Sequence, residues 1–337
     1  MRYRRTQTPE FALAAGAGRS LVRERAGLTS WSGCLANPQL LKYCGALGKI
    51  GNCQVAVSSA LIADGRTWPL ACDLYVPVSW TEDAPRRAAA GIPAMLQFRE
   101  KWRIALAQVR AILKAGVTIT GVVVDADYGA NAAFRAGLER LGLAYGVAIR
   151  GEATFTITGV PGSQTATAIA LSAPDDAWES VTWGTGTAGP LIARFCALRV
   201  RPTTGRAERW LLCERSATDE RKYYLLHLPA TTVLGDLVAL ARSRWPIEQQ
   251  YRELKDDLGL DHFEGRRYQG WTHHVVLTAV AFTFLQIERG HATVEPRPTL
   301  PVVRGWVREI MGLLYVIHNR RLLSMLDSFR RNAPLRR

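Results

Sequence analysis

Along this chain of 337 residues the apolar positions change period several times, and each change marks an expected element. Residues 53–77, CQVAVSSALIADGRTWPLACDLYVP, set apolar and β-branched residues on both sides of Asp64-Gly65, the pattern of two strands joined at a tight turn. From 93 to 115 the spacing becomes three and four: Met95, Phe98, Trp102, Leu106, Val109 and Leu113 predict one helix, stopped at Gly116. VTITGVVVDADYG follows, a short β-branched run that reads as a strand covered on both faces and ending at Asp125. Residues 130–141 predict the next helix and LAYGVAIRG the next strand, so this part alternates helix, strand, helix, strand.

Between 151 and 230 the texture turns to Thr, Gly and Ala, with little helical period. VTWG, FCALRVRP, RWLLCER and KYYLLHLP predict antiparallel strands, with SATDERK as a connecting loop. Helical spacing returns at 232–242, continues through RWPIEQQYRELK, and resumes at 272–288, which is apolar nearly all round and therefore expected to be buried. HATVEPRPTLP is a Pro-containing linker. The last 37 residues carry eight Arg against Glu309 and Asp327, a net six charges, which suits a DNA-facing amphipathic helix or a partly ordered tail.

The balance of 43 Lys and Arg against 29 Asp and Glu leaves a net charge of +14, which favours a polyanionic partner. A membrane is the weaker choice, because the longest apolar stretch, 275–285, is far short of the roughly 20 residues a spanning helix needs. The opening residues lack an apolar signal core and include Glu10, so they read as a basic arm in a cytoplasmic protein, associated with the nucleoid when DNA is bound. Six scattered cysteines form no CxxC pair and have no His at zinc spacing, which suits reduced thiols. His273 and His274 are adjacent and point apart on a helix, and GKIGN lacks the spacing of a phosphate loop.

The candidate chemistry lies in two places. In RWPIEQQYRELK a helical turn of 3.6 residues sets Arg244, Glu248, Tyr251, Arg252 and Lys255 along one face, one acid in a basic and aromatic frame. A solvated helix of alternating charges has the same pattern. Asp125 ends a buried strand, where ligands bind in α/β sheets, although DADYG is also ordinary turn chemistry. A rigid strand-end acid facing a helix-borne acid could share divalent metal.

Three ordered blocks resemble the DDE transposases with a ribonuclease-H-like core, in the IS4-like group and most closely its IS701-like branch. They are KYCGALGKIGNCQVAVS with DLYVPVSWTEDAPRRAAAGIP, VVVDADYGANAAFRAGLERLGLAY, and RWPIEQQYRELKDDLGLDHFEGR, together spanning about residues 42–310. The second is similar to the family's second catalytic aspartate, at Asp125. The third is similar to Y-x2-R-x3-E-x6-K, with Arg244, Glu248 and Lys255 on its R, E and K.

The resemblance implies an α/β fold: a ribonuclease-H-like mixed sheet flanked by helices and interrupted by a β-rich insertion before the last catalytic helix. The expected divisions are an atypical basic arm at 1–41, core at 42–150, insertion at 151–230, second core part with the catalytic helix at 231–293, and a basic helical tail at 294–337. It implies Mg2+ or Mn2+ as a two-metal pair on Asp125 and Glu248; Asp127, two positions on along the same strand face, could add a ligand where the family usually has a small residue. Phosphates would meet Arg244, Arg252 and Lys255, and Trp245 is either a stacking platform for a displaced base or an ordinary core aromatic. The implied partner is double-stranded DNA, both element ends and target, held by a homodimer on paired ends.

Two departures stand out. The signature's tyrosine position is Ala241. The first catalytic aspartate, expected shortly before the YCG block, has no counterpart, because residues 1–41 contain no aspartate. Asp64 and Asp73 lie in the wrong places to replace it. The chain therefore reads as an N-terminally truncated or frame-shifted copy, either a DDE transposase of impaired activity or an inactive remnant that only binds DNA.

Overall fold

The computed structural model describes residues 24–34, 41–44, 49–63, 65–186, 189–203, 207–291, 298–319 and 322, with side chains from 54 onward. It begins with strands β1 (Glu24–Cys34), β2 (Leu41–Cys44), β3 (Lys49–Ala63) and β4 (Arg66–Leu74), then helices α1 (Val78–Thr81), α2 (Ala84–Ala90) and α3 (Lys101–Lys114). Next come β5 (Gly121–Val124), α4 (Ala126–Gly129), α5 (Ala132–Arg140), β6 (Tyr145–Ile149), β7 (Thr154–Thr156), β8 (Gln164–Thr165) and α6 (Ala166–Ser172). The chain continues through β9 (Glu179–Gly186), β10 (Gly189–Pro202), β11 (Arg209–Arg215) and β12 (Arg221–His227) into α7 (Leu234–Arg242), α8 (Trp245–Asp256), α9 (Tyr268–His291) and α10 (Leu300–His318).

The strands form one mixed sheet. β4, β3 and β1 run antiparallel to their neighbours, β1, β5 and β6 run parallel, and β12, β11 and β10 extend the sheet antiparallel beyond β6. This is the expected mixed sheet flanked by helices, and the β-rich stretch of 151–230 contributes strands to that same sheet.

In β5 the three valines are all buried and alternate sides. Val122 and Val124 join a core under α3 and α5 that includes Val109, Phe134 and Leu138, while Val123 joins Leu237, Leu240 and Ile247 of α7 and α8 on the other face. Each buried valine contributes about 1.5–3 kcal/mol, so the strand that ends at Asp125 is anchored from both sides.

Three expectations need correction. Residues 24–34, assigned to a basic arm, form β1, in register with β3 from Glu24↔Ala63 to Cys34↔Cys53 and with β5 from Arg25↔Gly121 to Leu28↔Val124. Without this strand both neighbours would present unpaired backbone edges in the middle of the sheet, which outweighs its unpromising side-chain pattern. The helix expected over 93–115 starts only at Lys101, because Arg87 gathers the carbonyls of Pro93, Ala94 and Leu96 at 2.6, 2.8 and 3.3 Å and holds that backbone out of a helix.

The helix expected to be buried all round, α9, buries one face through Trp271, Val275, Phe282 and Leu285 and leaves Val276, Leu277, Val280 and Phe284 exposed. The expected basic tail falls largely outside the described residues, which hold only Arg304 and Arg308 of its eight arginines; the described helix, α10, presents largely apolar side chains to solvent. No helix among the described residues is long and apolar enough to cross a membrane.

Candidate nucleic-acid interface and acid pair

DADYG has a structural reason at each position. Asp125 caps α4, its Oδ1 accepting the backbone N–H groups of Asp127 at 3.1 Å and Tyr128 at 3.3 Å. Tyr128 is buried against Phe134, with ring centroids 5.9 Å apart. Gly129 passes so close to β6 that an added Cβ would overlap the Ala148 carbonyl oxygen and lie 3.0 Å from Val147 Cβ. The strand thus delivers Asp125 in one defined position. Burial raises its carboxyl above the usual carboxylate range and Asp127 adds to the rise, while the two cap hydrogen bonds and the Arg244 charge pull the other way.

The second acid comes from α8. Ile247, Gln250 and Leu254 are its buried ridge, Trp245 lies at its first turn, and Tyr251 packs against two of the cores with its hydroxyl bonded to Ser58 of β3. Tyr251 therefore belongs to the packed side and not to the outward face with the acid. Glu248 points outward, half exposed, and is ion-paired one turn back with Arg244. The Arg244 charge also acts to lower the Asp125 pKa, a smaller effect than the burial that raises it.

Around this arginine opens a cleft of about 500 Å3. Arg150, Gly151 and Glu152 enter from the carboxyl end of β6, Arg221 and Lys222 from the start of β12, and Arg242, Arg244, Trp245 and Glu248 from the junction of α7 and α8. Antiparallel pairing of Tyr223 with Ile149 is what brings the β12 cations beside Arg150. Five cations line it beside two acids, Glu152 and Glu248, a basic surface fitted to a phosphate backbone, although Arg242 is already paired with Glu214; Asp125 is not among the lining residues. Trp245 is 47 % exposed at its edge, open to a stacking partner.

The remaining predicted residues lie apart from this cleft. Asp127 is exposed and 3.6 Å from Arg150. Arg252 is exposed, its Nη1 donating to Gln249 Oε1 at 3.4 Å, and Lys255 is partly buried further along α8; neither lines the cleft. Sequence reasoning missed Arg150, Arg221, Lys222 and Arg242. Arg150 had a signal, since it follows a strand parallel to the one that ends at Asp125 and such strand ends form ligand sites.

A buried network holds the α7–α8 junction. Glu214 of β11, 2 % exposed, pairs with Arg242 and accepts the Tyr224 hydroxyl at 3.0 Å, while the Arg242 guanidinium stacks 4.0 Å over Trp183. This ties the end of α7 to the strands β11 and β12 and to β9, two residues before Arg244.

The described residues do not fit a divalent metal pair. No group of three His, Cys, Asp or Glu side chains among them converges to hold an ion, and Glu248 is already ion-paired with Arg244. β1 does not repair this. Its one carboxylate residue, Glu24, precedes the register position of Gly121, at the opposite end of β5 from Asp125.

Residues 38–190 match the family model described as DDE superfamily endonuclease. The match includes Asp125 and ends before α8, so Glu248 lies outside it. Among solved structures, the chain is similar to a piggyBac transposase in a synaptic complex with hairpin DNA, at 11 % identity and a TM-score of 0.40, covering 92 % of this chain and 55 % of that one. The chain thus spans about half the length of that transposase. Comparison with curated proteins found no match.

Proposed function

We propose that this chain is a DNA-binding relative of the DDE transposases, of the IS701-like branch of the IS4-like group, which grips duplex DNA in the cleft and has lost efficient strand cleavage. The observation that carries this reading is the cleft itself: five cations line it, while Glu248, the one retained acid that lines it, is ion-paired with Arg244, and no third acid among the described residues joins Glu248 and Asp125 in one group. Arg150, Lys222 and Arg244 would hold backbone phosphates and Trp245 would stack on a base. Pairing two element ends would require two copies of the chain.

The retention of both Asp125 and Glu248 favours a second reading, an impaired but working transposase. One pair of measurements separates the two. Duplex binding followed by fluorescence anisotropy over a salt series is expected to weaken steeply as salt rises, and the absence of binding would sink both readings. Nicking of an element-end duplex in Mg2+ or Mn2+ is expected to be equal for the wild-type chain and Glu248→Ala. Nicking by the wild type that Glu248→Ala abolishes would establish the second reading.

A further inference from the structure

The far side of the helical layer presents a different problem. Five large apolar side chains of α9 and eight of α10 are exposed, and every residue from Arg308 to Tyr315 faces solvent. At about half exposure and roughly 150–250 Å2 for the larger side chains, this amounts to on the order of 1,000 Å2 of apolar surface. A monomer's largest patch is typically about 300–600 Å2 and a standard interface takes about 800 Å2 per partner.

Two complementary shapes make up this surface. One is a mainly apolar groove of about 470 Å3 between β4 and α9, with Leu70 and Cys72 on one wall, Val276, Val280 and Phe284 on the other, and Leu254 beneath. The other is a helix stripe: Trp306, Ile310, Leu313 and Ile317 recur at four, three and four residues along α10. Among the described residues α10 is fastened through its first turns, where Leu300 and Val303 are buried, Val307 packs beside them and Arg304 pairs with Asp257 at 3.3 Å. No described residue covers its distal half.

We propose that the distal half of α10 docks in the β4–α9 groove of a second copy of this chain, and that the second copy returns its own α10, giving a reciprocal homodimer without DNA. A second copy fits because knob and groove are both present in every chain. One two-fold exchange therefore covers both, which a unilateral partner would not. The exposed area also matches what one such interface needs. No residue lines both the groove and the cleft, although α8 contributes to each, so the proposal stands independently of the DNA-binding reading.

Sedimentation equilibrium of the full chain without DNA tests this. A dimer is expected, and a monomer at every concentration overturns the proposal, including a monomer that instead binds lipid vesicles or an unrelated protein. Ile310→Lys in the knob and Val280→Glu in the groove, at positions 55 % and 59 % exposed, are each expected to weaken self-association by about 100-fold or more, because each buries an unpaired charge. Circular dichroism melting checks that each is folded. Mixing the two variants is the decisive arm: the introduced ammonium on the knob of one copy then meets the introduced carboxylate in the groove of the other, while the second joint is wild type, so a heterodimer is expected to return. A mixture that stays monomeric, or single variants that dimerise like the wild type, overturns the proposal.

Discussion

Asp125 and Glu248 are the two acids of the candidate site, but the chain supports them in different ways. Asp125 is held by a three-valine strand buried on both faces, by two cap hydrogen bonds, and by a glycine pressed against β6. Glu248 is half exposed, with Arg244 as the ion-pair partner and solvent on its other side. The first acid's position is over-determined and its charge is costly. The second acid's position depends on where α8 sits as a body, and α8 in turn leans on the Glu214–Arg242 pair and the Tyr251–Ser58 contact. A site built this way carries its rigidity in residues that never touch the cleft's contents.

The largest expected effect tests that last statement. Glu214→Ala removes the partner of a buried guanidinium and should cost about 3–5 kcal/mol in chemical denaturation, with loss of DNA binding; a cost near that of a surface change would show that the α7–α8 junction is held by something else. Gly129→Ala comes next. It must push α4 away from β6, and overpacking of this kind costs about 1–3 kcal/mol, read from the urea midpoint.

Asp125→Asn should act in the opposite direction. Asparagine caps a helix as well as aspartate does, and the burial cost of the charge disappears. Because the folded-state pKa of Asp125 is raised, the favourable neutral form is fully present below the unfolded value near ~4 and its contribution is lost as pH rises through the folded value. The variant should therefore melt on the order of 2 °C above wild type at neutral pH, the gap closing as pH falls toward 4. A gap that widens on acidification would mean that Asp125 is stabilised as a carboxylate. The smallest effect belongs to Glu248→Ala, within about 0.5 kcal/mol of wild type, since an exposed ion pair contributes little. A larger loss would mean that the two acids are supported more alike than their surroundings indicate.

The elements around Asp125 were legible because their signals are local. VTITGVVV is short, β-branched and apolar throughout, which only a strand covered on both faces tolerates, and Asp-Gly between two such runs selects a tight turn. RWPIEQQYRELK was legible as a helix, but not which way it faced. Tyr251 shared the predicted face with Glu248 and turned inward, because a partly apolar ring is drawn toward the core and its hydroxyl found Ser58. Arg150 and Lys222 are 72 positions apart, and no period within either segment announces that antiparallel pairing of β12 with β6 sets them side by side.

β1 shows the converse failure. Its side chains offer a weak pattern, and its place in the sheet follows from the unpaired edges of β3 and β5. The apolar run in α9 was likewise visible while its destination was not, because hydrophobicity records the need to be covered without naming the cover.

The order of local elements, the excess of positive charge, the two acids on a strand end and a helix, and the lack of an aspartate before Tyr43 all follow from the amino-acid sequence alone, since each depends on neighbours along the chain. The five-cation cleft, the buried Glu214–Arg242 brace and the bare faces of α9 and α10 were decided only by the tertiary structure. Each of them joins residues from separate elements, and the energy that brings them together comes from burying the sheet and its helices as a whole.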